Sequence, residues 1–97
     1  MAEPEFLQTT RAFYDHVAAS YATRFGRELA ARPLDRALLA GFAELVRAAG
    51  PAPIADVGCG PGSVTAHLND MGSAAFGIDL SPQMVAQARQ GLSGPAV

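Results

Sequence analysis

Three glycines at alternate positions and two nearby acids are the residues of this sequence that could do chemistry. Gly58, Gly60 and Gly62 separate a short apolar run, 54–57, from a segment with helical spacing, 63–71. A strand, a glycine turn and a helix in this order bring backbone N–H groups close to a ligand, with the helix N-terminus directed at it. The pattern therefore predicts a turn that binds a nucleotide-like ligand.

The two acids indicate the charge of that ligand. Asp56 lies within the first predicted strand, and Asp79 ends a second apolar run that predicts a strand over 74–79. An acid at the end of the second strand of a βαβ unit can accept hydrogen bonds from ribose hydroxyls. A carboxylate at Asp56 would repel a pyrophosphate, but it suits a ligand with positive charge near the turn. The spacing G-x-G-x-G also differs from the dinucleotide fingerprint G-x-G-x-x-G.

The string Asp-Val-Gly-Cys-Gly-Pro-Gly at 56–62, with Gly-Ile-Asp-Leu-Ser-Pro-Gln-Met at 77–84, resembles the class I S-adenosylmethionine-dependent methyltransferases of the small-molecule type. S-adenosylmethionine carries a sulfonium and an ammonium group and has no phosphate. The resemblance implies an α/β, Rossmann-like class I methyltransferase fold that is partial here, with two parallel strands, flanking helices and N-terminal helices. It also implies S-adenosyl-L-methionine as the cofactor and a small-molecule methyl acceptor in the complete protein.

The same resemblance implies roles for single residues. Asp56 would reach the amino end of the cofactor through the loop or a water molecule, and the three glycines would lie beneath its methionine part. Asp79 would accept hydrogen bonds from both ribose hydroxyls. Leu80 and Met84 would pack against the adenine.

A stretch near the N-terminus adds two candidates. The pattern Phe13-Tyr14-Asp15-x-x-Ala18-x-x-Tyr21 resembles the lead helix of small-molecule methyltransferases, which lies over the ligand cleft. Tyr14 and Tyr21 carry phenols that could line this cleft. The predicted cofactor-binding residues are Asp56, Gly58, Cys59, Gly60, Gly62, Asp79, Leu80, Met84, Tyr21 and Tyr14.

Other reactive side chains have simpler explanations. Cys59 has no histidine or other base predicted beside it, so we interpret its side chain as loop filler rather than as a nucleophile. Ser63 or Thr65 could assist the loop backbone. Two isolated histidines and one cysteine make no ligand set, so no metal is expected. No catalytic residue can be named.

Helical spacing predicts the elements that hold the turn in place. A helical segment over 5–28 is expected to dock through aromatic residues such as Phe13 and Phe25. A helix over 33–49 is expected to pack on the sheet, and a helix from Pro82 to about Gln90 follows the second strand. The apolar stripe of the helix over 33–49 consists of Leu34, Leu38, Phe42, Leu45 and Val46.

This order of elements predicts two parts of the chain. Residues 1–50 form an N-terminal helical segment, with a cleft-covering helix and the first sheet-packing helix. Residues 51–97 form a cofactor-binding βαβ unit that is truncated where a third strand would start, at 96–97. Because the first strand belongs at the centre of the family's sheet, we expect an open edge that favours self-association or a second chain.

Composition restricts the partners. The chain has 97 residues, a formal net charge of −2 and one cysteine. This charge argues against a surface that binds nucleic acid through general electrostatic attraction. No apolar run reaches about 18 residues, so no membrane-spanning helix is expected. The N-terminus is acidic where a signal peptide would be basic, so we expect a cytoplasmic protein without a nucleic-acid or membrane partner.

Two alternative functions remain open at this point. The chain could be a non-catalytic module that binds S-adenosylmethionine or assembles with a separate catalytic chain. It could also belong to a nicotinamide- or flavin-dependent oxidoreductase, although the glycine spacing and Asp56 argue against this.

Overall fold

The computed structural model describes residues 2–25, 28–50 and 52–91. Two parallel strands with flanking helices confirm the predicted α/β class. The predicted third strand at 96–97 lies outside the described residues, and the division of the chain at residue 50 stays a prediction. In chain order the elements are α1 (Glu5–Phe25), a 3₁₀ turn (Leu29–Ala31), α2 (Pro33–Ala49), β1 (Ile54–Val57), α3 (Ser63–Asp70), β2 (Ala75–Ile78) and α4 (Pro82–Gly91).

The two strands bring the chemical residues to one edge. β1 and β2 pair in parallel with Asp56 opposite Gly77 and Val57 opposite Ile78. The pairing continues past β1, because the N–H groups of Gly58 and Cys59 donate to the Ile78 carbonyl at 2.7 and 3.0 Å. The glycine turn and Asp79 therefore leave the sheet side by side.

A small apolar core joins the sheet to α2 and α3. Only one face of the sheet is covered in the described part of the chain, since Val57 and Ile78 on the other face are exposed. The buried core residues are Ala43, Ile54, Leu68 and Ala75, with Leu39, Val46, Val64 and Met71 packed against them.

The predicted docking face of α2 is largely wrong. α2 contacts the core through Leu39, Ala43 and Val46. Of the predicted stripe, only Val46 is among these residues, while Leu34, Leu38, Phe42 and Leu45 are exposed. The completely buried Ala43 occupies the contact position of α2, and the larger side chains of the predicted stripe lie outside this contact. Self-association through these apolar surfaces stays a prediction.

The prediction that Phe13 docks α1 on the rest of the domain is also wrong. This side chain is 58% exposed and has an edge contact only with the ring of Tyr14 among the described rings. α1 packs mainly against α4, with Ala18 buried, so a small side chain makes the close approach. The side chain of Phe25 lies outside the described part of the structure.

A close contact fixes the glycine turn against β2. A Cβ atom added at Gly77 would lie 2.6 Å from Cys59 Sγ and 3.2 Å from Thr65 Oγ1. Such a distance is well inside van der Waals contact, so this strand position has room only for glycine. The packing of Cys59 against β2 therefore explains the glycine at this strand position.

We predict that Gly77→Ala destabilises the chain by about 1–3 kcal/mol, because the new methyl group overpacks the contact with Cys59. Urea unfolding followed by circular dichroism measures the change. Gly41→Ala is the matched control, since a Cβ at this α2 position meets nothing within 4 Å. The control should gain about 0.5–1 kcal/mol from the helix preference of alanine. Equal stability of the two variants would contradict the packing argument.

Candidate functional site

A cavity of about 260 Å³ opens at the carboxyl ends of β1 and β2, with α1 as its other wall. Seven of the ten predicted cofactor-binding residues line it, although their binding role stays a prediction. Asp56, Cys59 and Gly62 are not part of the lining. The lining residues are Thr10, Tyr14, Tyr21, Gly58, Gly60, Asp79, Leu80 and Met84.

Thr10 is the lining residue that the sequence reasoning missed. It lies one helical turn before Tyr14 on α1, so the i, i+4 spacing from a predicted cleft residue was an available signal. Tyr21 lies further along the same helix, and a Cβ at Gly60 would be 3.9 Å from its Cε1 atom. Its ring therefore faces the glycine turn.

Asp79 joins the two loops that border the cavity. Its Oδ2 atom accepts the Gly60 N–H at 2.8 Å, and its Oδ1 atom accepts the Ser81 N–H at 2.9 Å. A carboxylate has about four lone-pair sites, so each oxygen keeps capacity for another donor. The carboxylate is thus oriented by the protein and still able to receive hydroxyl groups from the cavity.

The glycine turn itself has a conformation that needs glycine. Gly58, Gly60 and Gly62 have φ values of 74°, 54° and 86°. Other residues rarely adopt this left-handed region, because their Cβ atom meets the backbone. The alternate spacing of the glycines follows from these three positions.

The N–H groups of the turn are already satisfied within the protein. Gly58 and Cys59 donate to Ile78, Gly60 donates to Asp79, and Gly62 donates to the Cys59 carbonyl at 3.0 Å. Pro61 has no N–H. A pyrophosphate site requires such donors to point at the ligand. The turn in this arrangement has none left for phosphate.

Asp56 acts from beneath the turn rather than in the cavity. Its Oδ2 atom accepts the hydroxyl of Thr65 at 2.7 Å, and Thr65 is completely buried in the first turn of α3. A carboxylate near a helix N-terminus also interacts favourably with the helix dipole. Thr65 was expected to assist the loop backbone, but the structure shows it holding Asp56 instead.

Cys59 has the character of a buried filler. Its side chain lies against Gly77, and its backbone N–H is bonded to Ile78. Burial raises the pKa of the Cys59 thiol to about 11, and the charges of Asp79 and Asp56 add to this effect. A thiol with this pKa is protonated at neutral pH, which argues against a nucleophile.

Two polar side chains of α1, both missed by sequence reasoning, contact the segment after β2. Asp15 accepts the hydroxyl of Ser81 and the N–H of Gln83, the latter at 3.1 Å. These two bonds lower the pKa of the Asp15 carboxyl from its usual value. Arg11 donates through Nε to the Leu80 carbonyl at 3.3 Å. The i, i+4 spacing of Arg11 and Asp15 was the available signal.

A larger cavity of about 560 Å³ lies between the end of α1, the 3₁₀ turn, α3 and α4. Arg36, His67 and Asp70 are among its lining residues. We place the candidate site in the smaller cavity, because the glycine turn and the Asp79 carboxylate meet there. Among the described residues, no group of three or more histidine, cysteine or acidic side chains could hold a metal ion. None of the described helices has the length and hydrophobicity that a bilayer crossing requires.

Comparison with known proteins agrees with this geometry. Residues 54–97 match the family described as "Methyltransferase domain". Over 41 residues the chain is 56% identical to trans-aconitate 2-methyltransferase of Escherichia coli (strain 55989 / EAEC). The aligned region is 40% of this chain and 16% of that protein. The chain is part of a class I S-adenosylmethionine-dependent methyltransferase domain. The predicted family and the partial Rossmann-like fold are thereby confirmed.

A second relative covers more of the chain. Over 90 residues, 91% of this chain and 32% of the relative, the chain is 34% identical to the 18S rRNA (guanine-N(7))-methyltransferase bud23 of Schizosaccharomyces pombe (strain 972 / ATCC 24843). The chain thus spans a third or less of the length of these two relatives. No solved structure gives a significant match. A relative named for an rRNA substrate speaks partly against the expectation of no nucleic-acid partner.

We expect Cys59 of the folded chain to react slowly with iodoacetamide at about pH 8. A pKa of about 11 in place of 9.0 leaves about a hundredfold less thiolate. Mass spectrometry of samples quenched over time measures the rate, and the urea-unfolded chain is the control. Because the folded state holds the thiol proton more tightly, the contribution of Cys59 to stability is complete below pH 9.0 and is lost as the pH rises through about 11. Rapid labelling of the folded chain would contradict the burial argument.

Proposed function

We propose that the cavity binds S-adenosylmethionine and that the complete protein transfers its methyl group to a small-molecule acceptor. The observation that carries this proposal is the charge pattern of the turn. All four N–H groups of the turn have protein acceptors, and two carboxylates, Asp56 and Asp79, lie beside it. A cationic ligand without phosphate suits these groups, whereas a dinucleotide would meet repulsion from the carboxylates and find no free N–H within the turn.

The lining residues suit the parts of this cofactor. Asp79 would receive the ribose hydroxyls, Leu80 and Met84 would contact the adenine, and Gly58 and Gly60 leave space for the methionine part. At about 260 Å³ the cavity is below the ~300–1,000 Å³ of typical ligand sites. It therefore suits the adenosine portion rather than cofactor and acceptor together.

The cofactor, when bound, supplies a methyl group on a positively charged sulfur. The residues of this chain then have the task of binding and orientation, which can contribute much of the rate of a bimolecular reaction. Tyr14 and Tyr21 on α1 would shield this region from water. In this proposal residues 1–50 are the covering segment, and residues 51–97 are the cofactor-binding unit.

A small acceptor is supported by the relative with the higher identity and by charge. The E. coli relative is named for trans-aconitate, and its matched region is 56% identical. The net charge of this chain is −2, and Arg11 and Arg32 are paired with acids. Arg36 donates to the backbone carbonyls of residues 29 and 30. The acidic partners of Arg11 and Arg32 offset the attraction of these two side chains to RNA phosphates.

RNA is the second candidate acceptor, because the rRNA methyltransferase relative aligns over 91% of this chain. Fluorescence anisotropy with a labelled RNA oligonucleotide, in the presence of S-adenosylhomocysteine, separates the two classes. Salt-dependent RNA binding would favour the second candidate. Stabilisation by trans-aconitate or another small acid without RNA binding would favour the first. A non-catalytic cofactor-binding module remains the alternative if the cofactor binds and neither class of acceptor does.

We predict that S-adenosylhomocysteine binds the chain in calorimetric titration and that Asp79→Asn weakens binding by about tenfold or more, since charge-assisted hydrogen bonds to the ribose are lost. Asp70→Asn, an exposed acid on α3, is the matched control and should bind like the wild type. A thermal melt of each variant verifies that it is folded.

The outcomes divide the hypotheses clearly. Binding of NADH without binding of S-adenosylhomocysteine would favour the hypothesis that the chain belongs to an oxidoreductase. A folded wild-type chain that binds neither ligand would overturn the proposed role of this cavity.

A further inference from the structure

The segment after β2 has contacts on both of its sides. On the cavity side, Asp79 and Leu80 are lining residues. On the other side, the Leu80 carbonyl, the Ser81 hydroxyl and the Gln83 N–H all bond to α1. Residues 80–83 therefore connect the candidate ribose and adenine contacts directly to α1.

The α1 side of these contacts is equally close to the cavity. Arg11 and Asp15, which bond the segment, are the sequence neighbours of Thr10 and Tyr14, which line the cavity. Arg11 is itself held by a salt bridge to Glu3, at 2.6 Å. We call the contacts of Arg11 and Asp15 with residues 80–83 the α1 clamp.

The buried apolar contact of α1 in the described part of the chain is made by a small side chain. Phe6 and Phe13 are exposed, Tyr21 is half-buried, and Ala18 is the one buried residue among the described side chains of α1. A small apolar contact defines how close two helices come, but it restrains sliding and rotation weakly. Directional hydrogen bonds to charged groups supply that restraint.

We propose that Asp15 is a positioning residue, which through the α1 clamp holds Tyr14 and Tyr21 at the correct distance from Asp79 and Leu80. This inference rests on the proposed function, because it assumes that the cavity binds S-adenosylmethionine. Asp15 itself does not line the cavity and acts only through Ser81 and Gln83. The clamp pre-forms the binding site, so its loss lowers cofactor affinity rather than removing a cofactor contact.

The geometry of Asp15 allows a precise choice of variants. Both Ser81 and Gln83 donate to the same atom, Oδ1 of Asp15. An asparagine keeps an acceptor at that position, whereas an alanine removes it. The clamp therefore predicts that Asp15→Asn rescues most of what Asp15→Ala loses.

The experiment is calorimetric titration of S-adenosylhomocysteine into the wild type, Asp15→Ala, Asp15→Asn and the control Glu44→Ala, an exposed acid on α2. We expect Asp15→Ala to raise Kd by about tenfold and Asp15→Asn by less than about threefold, because charge-assisted hydrogen bonds are only partly replaced by neutral ones. Glu44→Ala should leave Kd unchanged.

A double-mutant cycle tests the partner. If Asp15 acts through Ser81, the loss of binding in the variant with both Asp15→Ala and Ser81→Ala should be smaller than the sum of the two single losses, and the remainder reflects the bond from the Met84 N–H to Ser81. Additive effects would overturn the proposed route through Ser81. A merely structural role would lower the melting temperature of Asp15→Ala and leave the Kd of the folded chain unchanged, which would overturn the proposal.

Failure of this inference and failure of the proposed function differ in outcome. If the folded wild type does not bind, both fall; if it binds and Asp15→Ala binds equally well, only the clamp falls. If Asp15→Ala does not fold, Asp15→Glu replaces it. Glutamate keeps the charge but displaces the carboxylate, so the clamp predicts weaker binding than for Asp15→Asn, and the reverse order would overturn it.

Discussion

One carboxylate joins the two loops on which the candidate site depends. Asp79 accepts N–H groups from Gly60, in the turn after β1, and from Ser81, in its own loop. Because β1 and β2 are parallel, both loops leave the sheet at the same edge, so a single acid can reach donors from each. These bonds orient the carboxylate through backbone donors. The carboxylate is therefore held in one orientation at this edge of the sheet.

This bridge depends on a strand position without a side chain. Gly77 lets Cys59 lie against β2, where any Cβ would be 2.6 Å from the sulfur. The close approach brings the turn toward the second strand, and Gly60 follows Cys59 directly with its N–H directed at Asp79. A packing requirement in the middle of β2 thus decides the hydrogen bonding at its end. Glycine at this position permits the close packing, and the close packing in turn places the Gly60 N–H where it orients the carboxylate.

Local signals explain what the sequence could predict. The strands, the glycine turn and Asp79 lie within short stretches whose spacing alone defines their relation, and the structure agrees with them. The predicted docking residue Phe13 of α1 and most of the predicted stripe of α2 are exposed, because an apolar stripe does not say which neighbour it meets. Asp15 and Arg11 dock α1 through polar bonds to residues more than sixty positions away. Hydrophobic periodicity contains no signal for such contacts. The sequence could have indicated these residues only as one of several polar pairs with i, i+4 spacing.

The positions of the two carboxylates also bear on methyl transfer in the proposed function. A negative group beside the reacting sulfonium would stabilise the ground state, which carries the full positive charge, and would raise the barrier. Asp79 lies at the proposed ribose end, and Asp56 is outside the cavity lining with its carboxylate bonded to Thr65. The attraction between site and cofactor can therefore come from groups away from the reacting carbon. Binding energy of this kind serves orientation and leaves the sulfonium as reactive as before.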